Sequence, residues 1–127
     1  MEQTMRTLIY GNEPECVAFT DMFRDYPLPG NRTMEFRCQS DGESLHTELV
    51  DWAPELVVVL TNGAAGMEGV YRVREYHPRV PVFWFSDDGD FAMQSYRLNC
   101  SYFGLKPVTE GKLRQAFYRC AHVGIPL

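Results

Sequence analysis

The chain of 127 residues has the length of one domain, and its 45% hydrophobic and 23% charged residues are typical of a globular protein and exclude a disordered one. Seventeen acidic residues against twelve lysines and arginines give a formal net charge of -5, which argues against direct binding to nucleic acid. Residues 1–6 lack the apolar run of a signal peptide and the apolar run at residues 56–60 is too short to span a bilayer, so we expect a cytoplasmic protein without membrane contact.

Apolar, strand-like runs alternate with stretches of helical period, which is typical of a parallel sheet covered by helices on both faces. Residues 7–10 predict the first strand, after which Gly11 and Asn12 turn the chain into a helix with Pro14 near its first turn. The alternating character of residues 34–38 predicts a second strand at an edge of the sheet.

The middle of the chain predicts a second helix, a third strand and a third helix. Either Ser40 or Asp41 caps the second helix, which ends at Pro54. Residues 56–60 are apolar throughout and β-branched at their centre, which predicts a central strand buried on both sides. A third helix is expected over residues 64–76.

The last third of the chain predicts two more strands and two more helices. The fourth strand is expected at residues 80–85, and a short helix at residues 91–98 ends with Asn99 as its left-handed cap. Residues 101–105 predict the fifth strand, and Thr109 caps the last helix. The core-facing stripe of that helix consists of Leu113, Ala116, Phe117, Cys120 and Ala121.

The cysteines and histidines predict neither a disulfide framework nor a metal site. The four cysteines lie inside apolar segments and form no CxxC pair, so we expect buried thiols in a reducing compartment. These cysteines are Cys16, Cys38, Cys100 and Cys120. The three histidines are scattered along the chain, so we expect no metal ion and no other cofactor.

Short polar or small segments follow the predicted strands at the edge of the sheet where doubly wound proteins bind ligands. These segments are Gly11-Asn12-Glu13, Leu60-Thr61-Asn62, Ser86-Asp87 and Lys106-Pro107. The serine after the fourth strand, combined with Leu105-Lys106-Pro107 after the fifth, resembles the receiver domain of bacterial response regulators. Residues 99–109 and 66–69 are especially similar to receivers that precede a LytTR-type DNA-binding domain.

The resemblance implies a single receiver-like domain over residues 1–127. The fold it implies is α/β, a doubly wound five-stranded parallel sheet of the flavodoxin-like (βα)5 type with strand order 2-1-3-4-5. Receivers in general take a phosphoryl group from a histidine kinase onto an aspartate after the third strand. Further acidic residues hold the Mg²⁺ that neutralises the phosphoryl oxygens.

The acids that carry this chemistry in receivers are missing from the sequence. Gly11 and Asn12 stand at the acid pair after the first strand, so the metal loses two anionic ligands. Counting from the end of the second helix places the phosphoacceptor at Leu60, whereas counting back from the third helix places it at Thr61. This difference implies a longer or bulged turn after the third strand. We therefore expect a degenerate phosphorylation pocket, with no catalytic residue and no enzyme activity.

Other residues offer substitutes for the missing groups. The hydroxyl of Thr61 could accept the phosphoryl group, but it is a poor nucleophile without a positioned base. The loop acids Asp87, Asp88 and Asp90 could hold a displaced Mg²⁺, although acids in a glycine-containing surface loop are more often turn and cap residues.

Ser86 and Lys106 correspond to the phosphoryl-binding half of the receiver site. Without the acids, Lys106 loses its usual partners and either reaches solvent or binds a small anion. The alternative is that Lys106 and Pro107 are kept as the turn into the last helix, with a cis peptide bond as in the family.

The resemblance implies signalling through the surface formed by the fourth helix, the fifth strand and the fifth helix. Phe103, at the position of the aromatic switch residue, lacks the hydroxyl that lets a tyrosine face outwards, so we expect it to be largely buried and the domain to favour one conformation. We expect a phosphorylation-independent receiver that brings together protein partners, or two copies of itself, in signal transduction and transcription regulation. The candidate contact residues are Gln94, Arg97, Tyr102, Lys112, Tyr118 and Arg119.

Two other classes of function stay open. In the first, the vacated acidic pocket senses a small molecule or an anion. In the second, the domain is a flavodoxin-like enzyme, although Gly11-Asn12-Glu13-Pro14 has too few glycines for a phosphate loop. Residues 123–127 resemble the start of a connector, so an output domain could follow.

Overall fold

Five parallel strands form one sheet in the computed structural model, which describes residues 4–122 and the side chains of residues 4–120. The strands are β1 (Thr4–Tyr10), β2 (Thr33–Gln39), β3 (Leu56–Val59), β4 (Val82–Ser86) and β5 (Tyr102–Leu105). They lie in the order β2-β1-β3-β4-β5, and each neighbouring pair is parallel. The predicted doubly wound fold and its strand order are confirmed.

A helix follows each strand, as the alternating pattern predicts. The helices are α1 (Glu13–Phe23), α2 (Gly42–Asp51), α3 (Gly63–Tyr76), α4 (Ala92–Arg97) and α5 (Glu110–His122). Short 3-10 turns at Pro29–Asn31 and Gly89–Phe91 precede β2 and α4. The predicted connector, residues 123–127, lies outside the described residues.

The sheet separates two apolar layers because side chains alternate along each strand. On one face, Ile9, Val58 and Phe83 pack with apolar residues of α1 and α5. On the other face, Val57 and Trp84 pack with residues of α2 and α3. Each such side chain is fully buried, and its burial contributes about 1.5–3 kcal/mol to folding. The central position predicted for β3 follows from this burial on both faces.

Side-chain caps set the beginnings of three helices. The Asn12 Oδ1 accepts the Glu15 N–H at 2.9 Å, and the Asp41 Oδ1 accepts the Ser44 N–H at 2.8 Å. The hydrogen bonds that the Asp41 carboxylate accepts from the backbone and side chain of Ser44 lower the pKa of Asp41 below its usual value, because they favour the charged carboxylate. The Thr109 Oγ1 accepts the Lys112 N–H at 3.2 Å. The sequence predicted the cap at Thr109 and offered Ser40 or Asp41 at the second helix, of which Asp41 is the cap. It placed Asn12 only in the turn before the first helix.

The turn residues expected from the sequence also have the expected backbone. Asn99, two residues after the end of α4 at Arg97, has a φ of 57°, in the left-handed region. The Lys106-Pro107 bond is cis, as the resemblance implied. The fourth strand begins at Val82 rather than residue 80, and the carbonyl of Pro81 accepts the Val57 N–H at 3.0 Å.

The cysteine prediction is wrong for two of the four residues. Cys16 and Cys38 form a disulfide that joins α1 to β2, with 6.2 Å between their Cα atoms. The remaining described cysteines are free thiols, with Cys120 buried and Cys100 partly buried. The spacing along the chain gave no signal, because the pairing depends on how α1 packs beside the edge strand.

Among residues 4–122, no helix combines the length and apolar character that crossing a membrane would require.

Candidate functional site

Four residues expected in the degenerate pocket meet at the carboxyl edge of the sheet. Gly11 follows β1, Leu60 follows β3, Ser86 ends β4 and Lys106 follows β5. The Leu60 N–H donates to the Tyr10 carbonyl at 2.7 Å, and the Lys106 N–H donates to the Ser86 carbonyl at 3.0 Å. These bonds continue the strand pairing beyond the named strands and draw the four residues together.

An apolar contact closes the side of this edge formed by the ends of β1 and β3. A Cβ atom added at Gly11 would lie 2.9 Å from the Cβ of Leu60, which is too close without a shift. The Leu60 side chain is 2% exposed and packs in the apolar layer that contains Cys16 and Phe19. The position that one count assigns to the phosphoacceptor is therefore a core residue packed against the position of an acid.

The Lys106 ammonium has two partners inside the protein. Its Nζ lies 2.5 Å from the Glu15 Oε2 and donates to the Leu60 carbonyl at 2.6 Å. The Lys106 side chain is 17% exposed, and that of Glu15 is 32% exposed. The expectation that Lys106 reaches solvent is wrong, because a carboxylate of the same chain neutralises it. Binding of an anion at Lys106 stays a prediction.

Glu15 is a residue of this site that the sequence reasoning missed. Its Oε1 accepts a hydrogen bond from the Asn12 Nδ2 at 2.9 Å, so Asn12 and Lys106 hold the two carboxylate oxygens. A signal was present, because an N-cap residue followed three positions later by Glu is the spacing of a helix-capping pair. The approach of Lys106 to that glutamate depends on the tertiary fold.

In the turn after β3, both the hydroxyl and the carbonyl group of Thr61 are hydrogen-bonded within the protein. The Thr61 Oγ1 donates to the Tyr10 carbonyl at 3.2 Å, and the Thr61 carbonyl accepts the Trp84 Nε1–H at 2.9 Å. A Cβ added at Gly66 would lie 2.0 Å from that same carbonyl oxygen, so only glycine lets α3 approach the turn. The hydroxyl proposed as a substitute acceptor is thus engaged with a main-chain oxygen.

The polar groups after β4 serve the loop itself. Ser86 is fully buried and its Oγ accepts the Asp88 N–H at 3.2 Å. The Asp88 carboxylate accepts the Asp90 N–H at 2.9 Å and begins the 3-10 turn, and the Asn62 Oδ1 accepts the Asp87 N–H at 2.9 Å. Over residues 4–122, no group of three or more His, Cys, Asp or Glu side chains could hold a metal ion.

The expected switch residue turns inwards. Phe103 is partly buried and packs edge-on against Trp84, with 5.3 Å between ring centroids. Tyr102 was expected as a contact residue, and this is wrong, because it is 7% exposed and its hydroxyl donates to the Gln115 Oε1 at 3.3 Å. The Arg119 guanidinium lies over the Tyr102 ring at 5.9 Å.

The other expected contact residues lie on the surface formed by α4, β5 and α5. The Lys112 Nζ is engaged, since it donates to the carbonyls of Leu105 and Pro107 at 2.7 and 2.9 Å. Gln94 is partly buried, and its Oε1 is a buried acceptor without a hydrogen-bond donor among the described residues. The exposed members of the set are Arg97, Tyr118 and Arg119.

Solved structures with the same fold are receiver domains. A two-component response regulator of the LuxR family from Aurantimonas sp. is 18% identical, with a TM-score of 0.73 over 95% of this chain and 87% of that one. The receiver domain of NarL from Mycobacterium tuberculosis is 18% identical, with a TM-score of 0.68 over 94% and 98%. The response regulator TrrA from Thermotoga maritima, solved in complex with Mg²⁺ and BeF, is 14% identical, with a TM-score of 0.70 over 94% and 98%.

These likenesses show that the chain has the receiver fold. A scan against protein-family models and a search of curated proteins found no match. The closer similarity to receivers of LytTR-type regulators stays a prediction.

Proposed function

We propose that this chain is an atypical receiver domain that works without phosphorylation, as a protein-interaction module in signal transduction and transcription regulation. The observation that carries the proposal is the Lys106 ammonium, which the Glu15 carboxylate and the Leu60 carbonyl already occupy. In a receiver, that ammonium binds the phosphoryl group on the aspartate. Here the anion that neutralises it belongs permanently to the chain.

The chemistry of phosphoryl transfer supports this proposal. It needs a carboxylate nucleophile and further acids to hold Mg²⁺, because a hard dication prefers anionic oxygen ligands. The corresponding positions are Gly11, Asn12, Leu60 and Thr61. Leu60 is buried in the apolar layer, and the Asn12 side chain is occupied in capping α1. TrrA, whose structure contains Mg²⁺ and BeF, has the same fold, so the difference would lie in these side chains.

The exposed apolar side chains of α4 and α5 support a role in contact with another protein. On α4, Met93 is 60% exposed and Tyr96 is 80% exposed, and on α5, Tyr118 is 67% exposed. Arg97 and Arg119 lie beside them. Exposed aromatic, methionine and arginine side chains are enriched at protein interfaces. The inward position of Phe103 against Trp84 supports a surface held in one arrangement.

The cleft beside Lys106 does not favour the alternative of an anion or small-molecule sensor. Apart from Lys106 and Glu15, which neutralise each other, the residues that line it are apolar. They are Ala18, Phe19, Met22, Leu60, Pro107 and Val108. An anion would have to displace Glu15 and would then lie against apolar carbon.

Incubation with acetyl phosphate and Mg²⁺ tests the first half of the proposal. We expect the intact mass of the protein to stay unchanged, and its molar mass by light scattering to be the same with and without acetyl phosphate. A stoichiometric, hydroxylamine-sensitive acyl phosphate would contradict the proposal, because it would require a carboxylate acceptor in this pocket.

The interaction surface is tested with the protein itself as the available partner. Substituting Tyr96→Ala should weaken self-association, measured by sedimentation over a concentration series, by at least about tenfold if this residue anchors the contact. Tyr76→Ala is the matched control, since Tyr76 is 43% exposed on α3 and packs edge-on against His46 of α2, outside this surface. Equal effects of the two substitutions would contradict the assignment of the surface.

A further inference from the structure

We propose that Cys16 and Cys38 form a thiol-exchange site, at which small thiols and small disulfides reversibly break and restore the link between α1 and β2. The site lies on α1 and β2, outside the docking surface proposed on α4 and α5, and it does not depend on the receiver function. The cysteine pattern of the sequence did not predict this disulfide.

The two residues of the pair differ in their exposure to solvent. Cys16 lies in the second turn of α1 and is 3% exposed. Cys38 lies in β2, the edge strand, and is exposed. A thiolate must reach the sulfur that it attacks, so exchange should begin at Cys38 and release Cys16.

An open groove of about 550 Å³ lies beside the pair and reaches both cysteines. Its rim carries both signs of charge, with the Arg24 guanidinium 2.8 Å from the Asp21 carboxylate and with Glu13 nearby. Such a rim suits a zwitterionic tripeptide thiol such as glutathione, which has carboxylates and an ammonium group. The other polar lining residues are Thr20, Gln39 and Ser40.

The exchange balances in two steps. The thiolate of the first small thiol attacks the Cys38 sulfur, a new S–S bond forms there, and the electron pair of the broken bond leaves with Cys16, which takes up the proton that the small thiol released. The second small thiol attacks the sulfur of the first, so a small disulfide leaves and Cys38 becomes a thiol. The reverse reaction, with the small disulfide as oxidant, restores the link.

The geometry offers the released Cys16 a hydrogen-bond acceptor. Its Sγ lies 3.5 Å from the Gly11 carbonyl oxygen, a distance at which a thiol can donate. The neighbouring residue Glu15 holds Lys106, so the helix turn freed by exchange is the one that carries the Glu15–Lys106 ion pair. The redox state of the pair thereby acts on the packing of α1 against both β2 and the turn after β5.

The other two cysteines serve as internal references. Burial raises the pKa of the Cys100 thiol to about 12, and the charge of Arg74 acts in the opposite direction, so the thiol stays protonated near neutral pH. Burial likewise raises the pKa of Cys120. Neither thiol should react with a small disulfide in the folded protein, and both should be alkylated once the protein is unfolded.

Counting thiols in glutathione buffers tests the inference. The protein is equilibrated in buffers from fully oxidised to millimolar reduced glutathione, quenched with acid, unfolded and alkylated, and its mass measured. We expect two alkylated cysteines in oxidised buffer and four in reduced buffer, with return to two on reoxidation. Reduction should also lower the melting temperature by roughly 10 °C, because the link closes a loop in the unfolded chain.

Two results would overturn the inference. Four alkylated cysteines in every buffer would mean that the link does not form, and two in every buffer would mean that it is a permanent crosslink. In a reducing compartment disulfides are transient and serve catalysis or redox sensing, whereas permanent ones belong to oxidising compartments. The reversible result is therefore the one that identifies an exchange site.

Single substitutions test where exchange begins. The Cys16→Ser variant keeps Cys38, which is exposed, and should form a mixed disulfide with oxidised glutathione at least about tenfold faster than Cys38→Ser, which keeps the buried Cys16. Cys100→Ser is the matched control and should behave as the unmodified protein does. Equal rates for the two single variants would contradict attack at Cys38, and they stay measurable even if the variants are less stable.

Discussion

The two sides of the sheet's carboxyl edge are filled in different ways. On the side of β1 and β3, Gly11 and Leu60 pack together and close the space. On the side of β4 and β5, the polar groups of Ser86 and Lys106 bond to the chain itself. Ser86 accepts the Asp88 N–H, and Lys106 bonds to Glu15 and to the Leu60 carbonyl.

The type of a side chain does not fix what it binds. The apolar character of the first side can be read directly from the sequence, whereas the partners of Ser86 and Lys106 are supplied only by the fold. A buried ammonium must be neutralised or hydrogen-bonded, and here the Glu15 carboxylate and the Leu60 carbonyl do this.

The largest effect is expected from placing an acid at the apolar side, with Leu60→Asp. Leu60→Ala should cost about 3 kcal/mol of unfolding free energy, because it leaves a cavity in a layer closed to solvent. Leu60→Asp should cost more, since it also places a carboxylate among apolar side chains. Urea unfolding measures both variants, and neither should be phosphorylated by acetyl phosphate, because Gly11 and Asn12 supply no anionic metal ligand.

The Leu60→Ala variant is the control for lost volume alone. If Leu60→Asp were more stable than Leu60→Ala, the new carboxylate would have found Lys106 and displaced Glu15. That result would mean that the apolar side is able to hold an acid.

An intermediate effect is expected from Gly11→Ala, which adds a single carbon to the closed contact. Its Cβ would lie 2.9 Å from the Leu60 Cβ, so the two strands' ends must separate, at a cost of about 1–3 kcal/mol. Gly111→Ala is the matched control, because the nearest atom to its added Cβ, the Thr109 Oγ1, is 4.0 Å away. In helix α5 this control should be neutral or should stabilise by up to about 1 kcal/mol.

Thermal or urea unfolding compares the two alanine variants. A Gly11→Ala protein as stable as the unmodified one would mean that the contact with Leu60 yields easily. Packing between Gly11 and Leu60 would then not be what closes the pocket.

The fold could be predicted from the sequence because its signals are local. Caps such as Asn12 and Asp41, the apolar run of β3 and the left-handed Asn99 each depend on a few neighbouring residues. Their agreement along the chain fixed the order of elements, and the resemblance to receivers supplied the strand order. The predicted strand ends differed from the observed ones by a few residues, because pairing between strands, such as that of Val57 with Pro81, decides the boundary.

The site could be predicted only in part because its partners are distant in sequence. Glu15 and Lys106 are brought together by the packing of α1 beside the turn after β5, and Cys16 meets Cys38 because α1 lies beside an edge strand. Neither approach has a local signature. Tyr102 was misplaced for a related reason, since helix α5 covers the face of β5 to which its side chain belongs.

The smallest effect is expected for the ion pair that now occupies the polar side, measured as a double-mutant cycle with Lys106→Met and Glu15→Gln. The coupling free energy should be about 1 kcal/mol, because the pair is partly buried and a carbonyl shares the ammonium. The same cycle on Arg24 and Asp21, whose side chains are 66% and 62% exposed, is the control and should give close to zero. Raising the salt concentration should remove whatever remains of the Arg24–Asp21 coupling and should leave most of the Lys106–Glu15 coupling. Equal couplings for the two pairs would mean that Glu15 does not hold Lys106 in solution, and the ammonium would again be available to an external anion.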